Sequence, residues 1–353
     1  MKKINHINKF LKKIQSKPYI IAEIGVNHEG SIKTAKKMIQ MAKKGGADAV
    51  KFQTYKAELL ASKKSPAYWD TKKEKTKNQF ELFKKYDSFE VKDYQNLYKF
   101  CKKEKIDFLS TPFDEKAVDF LDPLIPYFKI ASADITNYPL LKKIAKKKKI
   151  TFLSTGASNL KEIEKAITVL KKNGSPLIVL LHCILNYPTK DSLANLKMIS
   201  CLSSRFKNYI IGYSDHTLPN KNMDSLTTAY LLGAKVLEKH FTINKKKVGN
   251  DHYHSMDYLD LLKLNNKIKF LNTLIGNSKI KKPIKEEEKS RKHARRSIVV
   301  KKFIKKGEKI TEEKIIPKRP GTGISPMNWL KVIGRKASKN LYADEIIKNS
   351  DIK

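Results

Sequence analysis

Eight short apolar segments, rich in β-branched residues, recur in the chain up to residue 240, and amphipathic helix-length stretches separate several of them. The apolar segments cover residues 19–24, 47–52, 106–110, 127–131, 150–154, 176–182, 209–214 and 235–240. The amphipathic stretches include residues 33–44, 90–103, 160–172 and 224–232. Eight strands that alternate with helices predict an α/β fold of the (β/α)8 TIM-barrel type. An open doubly wound sheet is the structural alternative, but neither a GxGxxG motif nor a Walker loop follows the first segment.

The alternation ends near residue 277, where a Lys/Glu-rich stretch with Pro283 begins. We assign residues 1–280 to the barrel domain, residues 281–293 to a linker and residues 294–353 to a small C-terminal domain. Short strand-like pieces of that domain cover residues 296–300, 315–316 and 332–334, with a turn at 306–308. A domain of about sixty residues has a thin core, so we expect it to lean on the barrel or on another subunit.

The chain lengthens after the second apolar segment. Residues 57–86 are mostly polar and contain Trp69. Long insertions in compact domains are commonly functional, so we interpret this one as a loop that covers the substrate.

The formal net charge of +39 would by itself indicate a nucleic-acid partner. The lysines are spread along the whole chain, however, which is typical of a lysine-rich solvent surface, and we expect no nucleic-acid partner. The positive field should still attract small anions, including phosphorylated substrates. Three scattered cysteines and the lack of any signal-peptide or membrane-span pattern predict a cytoplasmic protein with no membrane partner.

Polar side chains follow most of the predicted strands, and barrel enzymes carry their chemistry at the C-terminal ends of the strands. Lys51 and Lys129 lie inside strands that should be buried, where an unpaired ammonium group is costly. A phosphate would pair with both lysines, and hydroxyl groups at the strand ends could donate to it. These hydroxyls belong to Ser132, Ser154 and Ser214.

Two histidines, His216 and His240, stand at the ends of neighbouring predicted strands. Two imidazoles with a carboxylate such as Glu23 nearby can hold a divalent cation and leave positions open for substrate. Alternatively, Lys51 or Lys129 could form a Schiff base, as in a lysine aldolase, which leaves the histidine pair without a role. We expect His182 to be a hydrogen-bonded core histidine. The remaining histidines are expected to be surface or structural residues: His6, His28, His252, His254 and His293.

Ten short motifs in this order resemble those of the sialic acid synthase family, from about residue 18 to the C-terminal domain. Those of the barrel cover residues 21–30 (IAEIGVNHEG), 51–55 (KFQTY), 110–113 (STPF), 129–132 (KIAS), 154–156 (STG), 182–183 with 187–189 (HC, YPT), 212–217 (GYSDHT) and 238–242 (EKHFT). Residues 295–297 (RRS) and 318–324 (KRPGTGI) are similar to the antifreeze-like SAF domain of that family, a small β-clip fold.

The resemblance implies an N-acylneuraminate synthase, which condenses phosphoenolpyruvate with an N-acylated hexose and water. The products would be a nine-carbon 2-keto-3-deoxy sugar acid and phosphate, released by C–O cleavage. N-acetylmannosamine is the default acceptor; 2,4-diacetamido-trideoxymannose, giving a legionaminic-type acid, and a sugar 6-phosphate are alternatives. A pseudaminate product is less expected, because the first motif reads Glu-Ile-Gly-Val-Asn-His. A polyanion-binding protein on a degenerate barrel is a candidate from another class, but the intact polar strand ends argue against it.

The resemblance also implies roles for individual residues. His216 and His240 would bind Mn2+ or Mg2+, and Arg319 would reach the N-acyl group of the sugar from the partner subunit of a domain-swapped homodimer. Phosphoenolpyruvate would be held by Lys51, Thr111, Lys129, Ser132, Ser154 and Ser214. The sugar would be contacted by Glu23, Gln53, Tyr187 and Asp251. The catalytic residues would be Glu23, Asp134, Lys51 and Lys129, with either carboxylate activating water.

Three departures from the usual sequence of the family concern the predicted site. Residue 134 is Asp where many bacterial members carry Glu, which leaves open how far this base reaches. Residues 184–185 displace by one position an Asn that precedes Tyr187 in some members, and residues 251–256 (DHYHSM) are bulkier and more aromatic than usual. These last two departures border the predicted sugar pocket and leave the identity of the hexose open.

Overall fold

A computed structural model describes residues 2–69, 71, 74–249 and 251–353, with side chains from residue 6 onward. The chain divides into two compact units, Met1–Ile275 and Gly276–Lys353. Among the described residues, no helix combines the length and the apolar character that a membrane crossing requires.

The first unit is built on eight parallel strands in the order β3-β2-β1-β8-β7-β6-β5-β4. The strands are β1 (Tyr19–Gly25), β2 (Ala49–Thr54), β3 (Asp107–Pro112), β4 (Tyr127–Ile130), β5 (Ile150–Ser154), β6 (Ile178–Cys183), β7 (Ile210–Asp215) and β8 (Val236–His240). The first and last strands pair with each other, and β3 and β4, the two ends of the order, are in contact. The predicted (β/α)8 architecture is therefore confirmed, with each predicted strand found within a few residues of its place.

Eleven α-helices accompany this sheet in the described part of the first unit. They are α1 (Lys2–Ser16), α2 (Ile32–Lys44), α3 (Ala57–Leu60), α4 (Gln79–Tyr86), α5 (Val91–Glu104), α6 (Glu115–Leu121), α7 (Tyr138–Lys146), α8 (Leu160–Lys172), α9 (Lys197–Arg205), α10 (Asp224–Leu231) and α11 (Tyr258–Ile275). Of these, α2 and α5–α11 bury apolar side chains in the core around the sheet. Helix α8 illustrates the local rules. Asn159 and Glu162 form a capping box at its start, and Ile163, Ile167 and Leu170 recur at helical spacing on its buried side.

The N-terminal helix α1 covers the amino end of the barrel. Its fully buried Phe10 packs against Tyr19, Tyr127 and Phe152, with ring centroids 5.2–5.7 Å apart. Tyr19 and Tyr127 are the first residues of their strands, so this cluster lies at the end of the barrel opposite the strand ends that carry polar residues. The sequence did not lead us to expect this helix, and it leaves the carboxyl end of the barrel for a site.

The predicted covering loop at residues 57–86 is not entirely irregular, because α3 and α4 occupy its two ends. Trp69 donates from its ring nitrogen to the carbonyl oxygen of Glu74 at 3.2 Å. Residues 70, 72 and 73 of this segment lie outside the described residues.

The second unit has an antiparallel pair of strands, β9 (Ser297–Val300) and β10 (Ile315–Lys318), over a small core that includes Ile298, Ile304 and Leu341. The predicted strand-like piece at 332–334 is wrong. This unit also contains two helices, α12 (Glu288–Ala294) and the short α13 (Trp329–Val332). Helix α13 ends at residue 332, and the chain then turns at Gly334, whose φ is +81°. The expected linker is exposed and contains most of α12.

Candidate active site at the carboxyl end of the barrel

Two buried lysines converge on one carboxylate at the carboxyl end of the strands. Lys51 Nζ lies 2.5 Å from Glu23 Oε2 and 3.7 Å from Glu238 Oε1, and it donates to Thr111 Oγ1 at 3.0 Å. Lys129 Nζ lies 3.5 Å from the same oxygen of Glu238. The predicted need of both lysines for an anionic partner is thus met by Glu23 and Glu238 within the chain.

Glu238 lies at the centre of this cluster, between the two lysines, although our sequence analysis assigned it no role. It also accepts a hydrogen bond from Ser214 Oγ at 3.2 Å. The signal that could have found it is strand alternation: Glu238 stands two residues before His240, so both side chains leave β8 on the same face.

Burial and opposite charges determine the ionisation of this cluster. Burial raises the pKa of Glu23 to about 7, although the Lys51 ammonium works against that rise. Burial also opposes ionisation of Glu238, but Lys129 and Lys51 outweigh it and lower its pKa. Burial lowers the pKa of Lys129. Glu238 is therefore the carboxylate that stays ionised between the two lysines. Glu23, which pairs with Lys51, loses its charge more readily, so an anionic ligand can take its place as the partner of Lys51.

Three hydroxyl groups border the lysines. Ser132 Oγ accepts from the Gly156 N–H at 3.0 Å, and a side chain at residue 156 would collide with it. Ser214 Oγ donates its hydrogen bond to Glu238. Ser154 Oγ, in contrast, is buried and has no hydrogen-bond partner within the described part of the chain. Since buried hydroxyls are normally paired, Ser154 is available to a ligand.

The predicted histidine pair lies at adjacent strand ends. His216 directly follows β7, His240 ends β8, and their ring centroids are 5.5 Å apart. His216 Nδ1 is 2.7 Å from the Ile184 carbonyl oxygen, so that nitrogen carries the proton and Nε2 keeps a lone pair. The Tyr187 ring lies beside both imidazoles, 4.1 Å from His216 and 6.1 Å from His240.

A third histidine joins this group. His240, Asp251 and His254 each offer a ligand atom, these atoms all lie within 4.8 Å of one another, and the three residues are buried. Asp251 Oδ2 is 3.4 Å from His240 Nδ1, and Asp251 Oδ1 is 3.8 Å from His254 Nε2. Of the two alternatives that we expected for His254, a surface position is wrong, because the residue is fully buried. The turn after β8 brings it beside His240, with ring centroids 4.9 Å apart.

The chemistry of these donors fits a divalent cation. Burial lowers the pKa of His216 to about 4, and burial followed by the neighbouring histidines holds the pKa of His240 well below its ordinary value. Burial raises the pKa of Asp251 to about 7, with the charge of Glu23 contributing. Neutral imidazoles are the form that binds metal, and a buried carboxylate in need of a counter-charge completes such a set.

The other predicted residues of the barrel also lie at this end. Gln53 Nε2 donates to Glu23 Oε1 at 3.2 Å. Asp134 lies on a turn just after β4 and accepts at Oδ1 from Asn137 Nδ2 at 3.0 Å, while burial raises its pKa. Arg319 belongs to the second unit, directly after β10, and its contact with the sugar stays a prediction.

Behind the histidines lies a fully buried ion pair. Lys239 Nζ is 2.8 Å from Asp215 Oδ2, and Ser225 and Tyr213 donate to the same carboxylate. Asp215 precedes His216 and Lys239 precedes His240, so the pair joins β7 and β8 at the point where each presents its imidazole. As expected, His182 is a core residue, with Nε2 at 2.9 Å from the Ala194 carbonyl oxygen.

Comparisons with known proteins agree with this architecture. Residues 38–280 match the NeuB family, and residues 295–353 match the SAF domain. An N,N'-diacetyllegionaminic acid synthase of Campylobacter jejuni is 43% identical over 94% of this chain and 99% of its own. A protein of the same name from Legionella pneumophila is 40% identical over 92% of each chain. The crystal structure of an N-acetylneuraminic acid synthetase from Leptospira borgpetersenii is 33% identical, with a TM-score of 0.67 over 78% of this chain and 90% of that one.

Proposed function

Because the chain belongs to the NeuB family and is an enzyme of the sialic acid synthase class, we propose that it condenses phosphoenolpyruvate with 2,4-diacetamido-trideoxymannose and water. The products are a nine-carbon legionaminic-type acid and inorganic phosphate. A new bond joins carbon 3 of phosphoenolpyruvate to the aldehyde carbon of the open-chain sugar. Water adds at carbon 2, and the C–O bond to phosphate breaks.

The convergence of two buried lysines on Glu238 carries the proposal for phosphoenolpyruvate. Lys51 and Lys129 are held at the strand ends by charges of the protein alone, at 3.7 Å and 3.5 Å from one oxygen. A phosphate or carboxylate group of the substrate offers Lys129 a closer partner than Glu238, and it offers Lys51 a further partner beside Glu23. Ser154 Oγ, buried and without a described partner at the end of β5, supplies a neutral donor at the same end of the barrel. This arrangement also leaves the histidine group free to act on the second substrate. In a lysine aldolase, by contrast, the histidine group would have no role.

The choice of acceptor rests on the relatives and on the sequence around Asp251. Two relatives of at least 40% identity carry the name N,N'-diacetyllegionaminic acid synthase. The segment 251–256 is also bulkier and more aromatic than the usual sequence of the family, which puts the default acceptor, N-acetylmannosamine, in doubt. N-acetylmannosamine remains the second candidate, because the 33% identical Leptospira protein is described as an N-acetylneuraminic acid synthetase.

The residues divide the chemistry among them. Lys51 and Lys129 stabilise the charge that develops on the departing phosphate. Glu23, with a pKa near neutrality, and Asp134 are the groups able to take a proton from the attacking water. A divalent metal at the histidine group, Mn2+ or Mg2+, would act as a Lewis acid that polarises the sugar aldehyde.

A panel of acceptors tests the proposal. Metal-loaded protein is incubated with phosphoenolpyruvate and, separately, 2,4-diacetamido-trideoxymannose, N-acetylmannosamine or its 6-phosphate, and phosphate release is measured. We expect kcat/KM to be about tenfold or more higher for the diacetamido sugar, because a pocket built for a polar group rejects analogues that lack it. Phosphoenolpyruvate labelled with 18O at its bridging oxygen should transfer the label to phosphate, as C–O cleavage requires.

Lys129→Met should abolish release, whereas Lys165→Met, which removes an exposed lysine of α8, should leave it unchanged. Faster release with N-acetylmannosamine would favour the second candidate. No release with any acceptor from folded, metal-loaded protein would refute the synthase proposal.

A further inference from the structure

We propose that His254, together with His240 and Asp251, binds the divalent metal of this enzyme as a two-histidine, one-carboxylate set. The inference rests on the proposed function, since it assigns protein donors to the metal that the reaction uses. It differs from the predicted pair of His216 and His240 because it combines His240 with two residues of the turn after β8, Asp251 and His254.

The separation of the donor atoms supports one shared ion. Imidazole nitrogens and carboxylate oxygens bind such ions at about 2.0–2.2 Å, so two donors to one ion lie roughly 3 to 4.3 Å apart, depending on the angle between them. The ligand atoms of His240, Asp251 and His254 all lie within 4.8 Å of one another. Small rotations of the side chains would bring these atoms around one ion.

Asp251 is oriented toward both imidazoles. Its Oδ2 lies 3.4 Å from His240 Nδ1, and its Oδ1 lies 3.8 Å from His254 Nε2. These distances are too long for strong hydrogen bonds, yet each oxygen faces a ring nitrogen across a short gap. A metal ion could draw all three groups together, and one carboxylate oxygen would complete the set.

The turn that carries His254 is fixed to the end of β8. The Met256 N–H donates to the His240 carbonyl oxygen at 2.8 Å, and Thr242 donates back to Met256 at 2.9 Å. Asn27 Nδ2 donates to Ser255 Oγ at 3.0 Å, which links the turn to the loop after β1. Ligands held in this way by a second shell of hydrogen bonds keep their geometry when the metal enters.

His252 provides a matched comparison within the same turn. It is also a buried histidine, but its Nδ1 lies 2.8 Å from Thr242 Oγ1 and its Nε2 lies 3.3 Å from Glu29. Both ring nitrogens are therefore engaged away from His240. Substituting His252 disturbs the turn to a similar degree without removing a member of the proposed set.

The donor set also implies a metal preference. Mg2+ favours oxygen ligands and retains water, whereas imidazole suits transition metals, and two histidines with one carboxylate are typical of Fe2+, the neighbour of Mn2+ in the series. His216, on the other side of His240, remains available as a further nitrogen donor. We therefore expect Mn2+ to bind far more tightly than Mg2+.

Direct metal binding tests the inference without any substrate. Mn2+ is titrated into metal-stripped protein, and free Mn2+ is followed by its electron paramagnetic resonance signal. His254→Asn should raise the Kd for Mn2+ by about tenfold or more, as should His240→Asn, whereas His252→Asn should leave it within about twofold. Pulsed spectroscopy should detect one more imidazole nitrogen coupled to Mn2+ in the wild-type protein than in His254→Asn. An equal number in the two proteins would contradict the role of His254.

The outcomes separate the inference from the function on which it rests. If a folded His254→Asn protein keeps the wild-type affinity for Mn2+ while His240→Asn loses it, the role of His254 is refuted but the metal centre is not. If all variants, including His216→Asn, keep the wild-type affinity for Mn2+, the assignment of a metal centre to these histidines is refuted. A melting temperature measured on each metal-free variant shows that folding is intact, and His254→Gln serves as the larger replacement if His254→Asn unfolds.

Discussion

Burial of a single imidazole is enough to make this barrel sensitive to acid. His28, in the loop after β1, is 4% exposed, stacks on Phe89 with ring centroids 4.1 Å apart, and accepts at Nδ1 from the Gly30 N–H at 3.1 Å. Burial lowers its pKa to about 4. The unfolded chain binds a proton at this residue near pH 6.5, while the folded chain does not until about pH 4. Stability is therefore full above pH 6.5 and falls as the pH decreases through that interval.

His28→Asn should reduce this acid sensitivity. Asparagine keeps an acceptor for the Gly30 N–H but cannot take up a proton. Between pH 7 and pH 5, the free energy of unfolding of the wild type should fall by about 2 kcal/mol more than that of the variant. Chemical denaturation at both pH values measures the difference, and comparing each protein with itself cancels the constant cost of the substitution. Equal pH dependence in both proteins would contradict the assignment.

At the scale of elements, the ion pair of Asp215 and Lys239 ties β7 to β8 directly behind the histidines. Both side chains are at most 1% exposed and are paired at 2.8 Å. Removal of one partner leaves the other charge buried without compensation, which is more costly than removal of both. The pair should therefore position His216 and His240 as well as stabilise the barrel.

A double-mutant cycle separates these effects. Asp215→Asn and Lys239→Met should each lower the free energy of unfolding by about 3–5 kcal/mol, and the double variant should lose clearly less than the sum. The affinity for Mn2+, measured below the melting temperature of each variant, should fall in the single variants because the imidazoles lose their fixed spacing. Additive losses of stability, or unchanged metal affinity, would argue against the positioning role.

The strands were predictable because each is a compact β-branched run buried on both faces, and the parallel alternation leaves few topologies. That topology also brings Lys51, Lys129, His216 and His240 to one end. The contribution of Glu238 depends on the register of β8 against its neighbours, which composition does not specify. His254 was missed for a different reason: it comes from a turn whose path is set by tertiary hydrogen bonds. The short run at 332–334 is too brief for its periodicity to distinguish strand from helix.

At the scale of the whole molecule, the predicted role of Arg319 requires two chains. We propose that the second unit of one subunit contributes Arg319 to the barrel site of its partner in a homodimer. A symmetric dimer with exchanged elements makes a specific prediction for mixtures, because each site then draws its residues from both chains.

Two inactive variants should restore activity to each other when mixed. Lys129→Met inactivates a barrel and Arg319→Ala inactivates a second unit, so an exchanged heterodimer has one site with both defects and one intact site. After denaturation and joint refolding, phosphate release should recover to roughly a quarter of that of the wild type. If Arg319 served its own barrel, every site in the heterodimer would carry one defect and no activity would return. Refolding each variant alone is the control.

The helix at the amino end of the barrel has a consequence for how the protein is made. Phe10 and Ile14 share their apolar cluster with Leu181 and Val236, so the surface that receives α1 is finished only when β8 exists. At about 5–20 residues per second, a ribosome needs roughly 10 to 45 s to pass from Phe10 to Val236. During that interval α1 has no complete docking surface. Helix α1 is thus made before every strand of the barrel but docks only after the last of them, so its docking does not follow the order of translation.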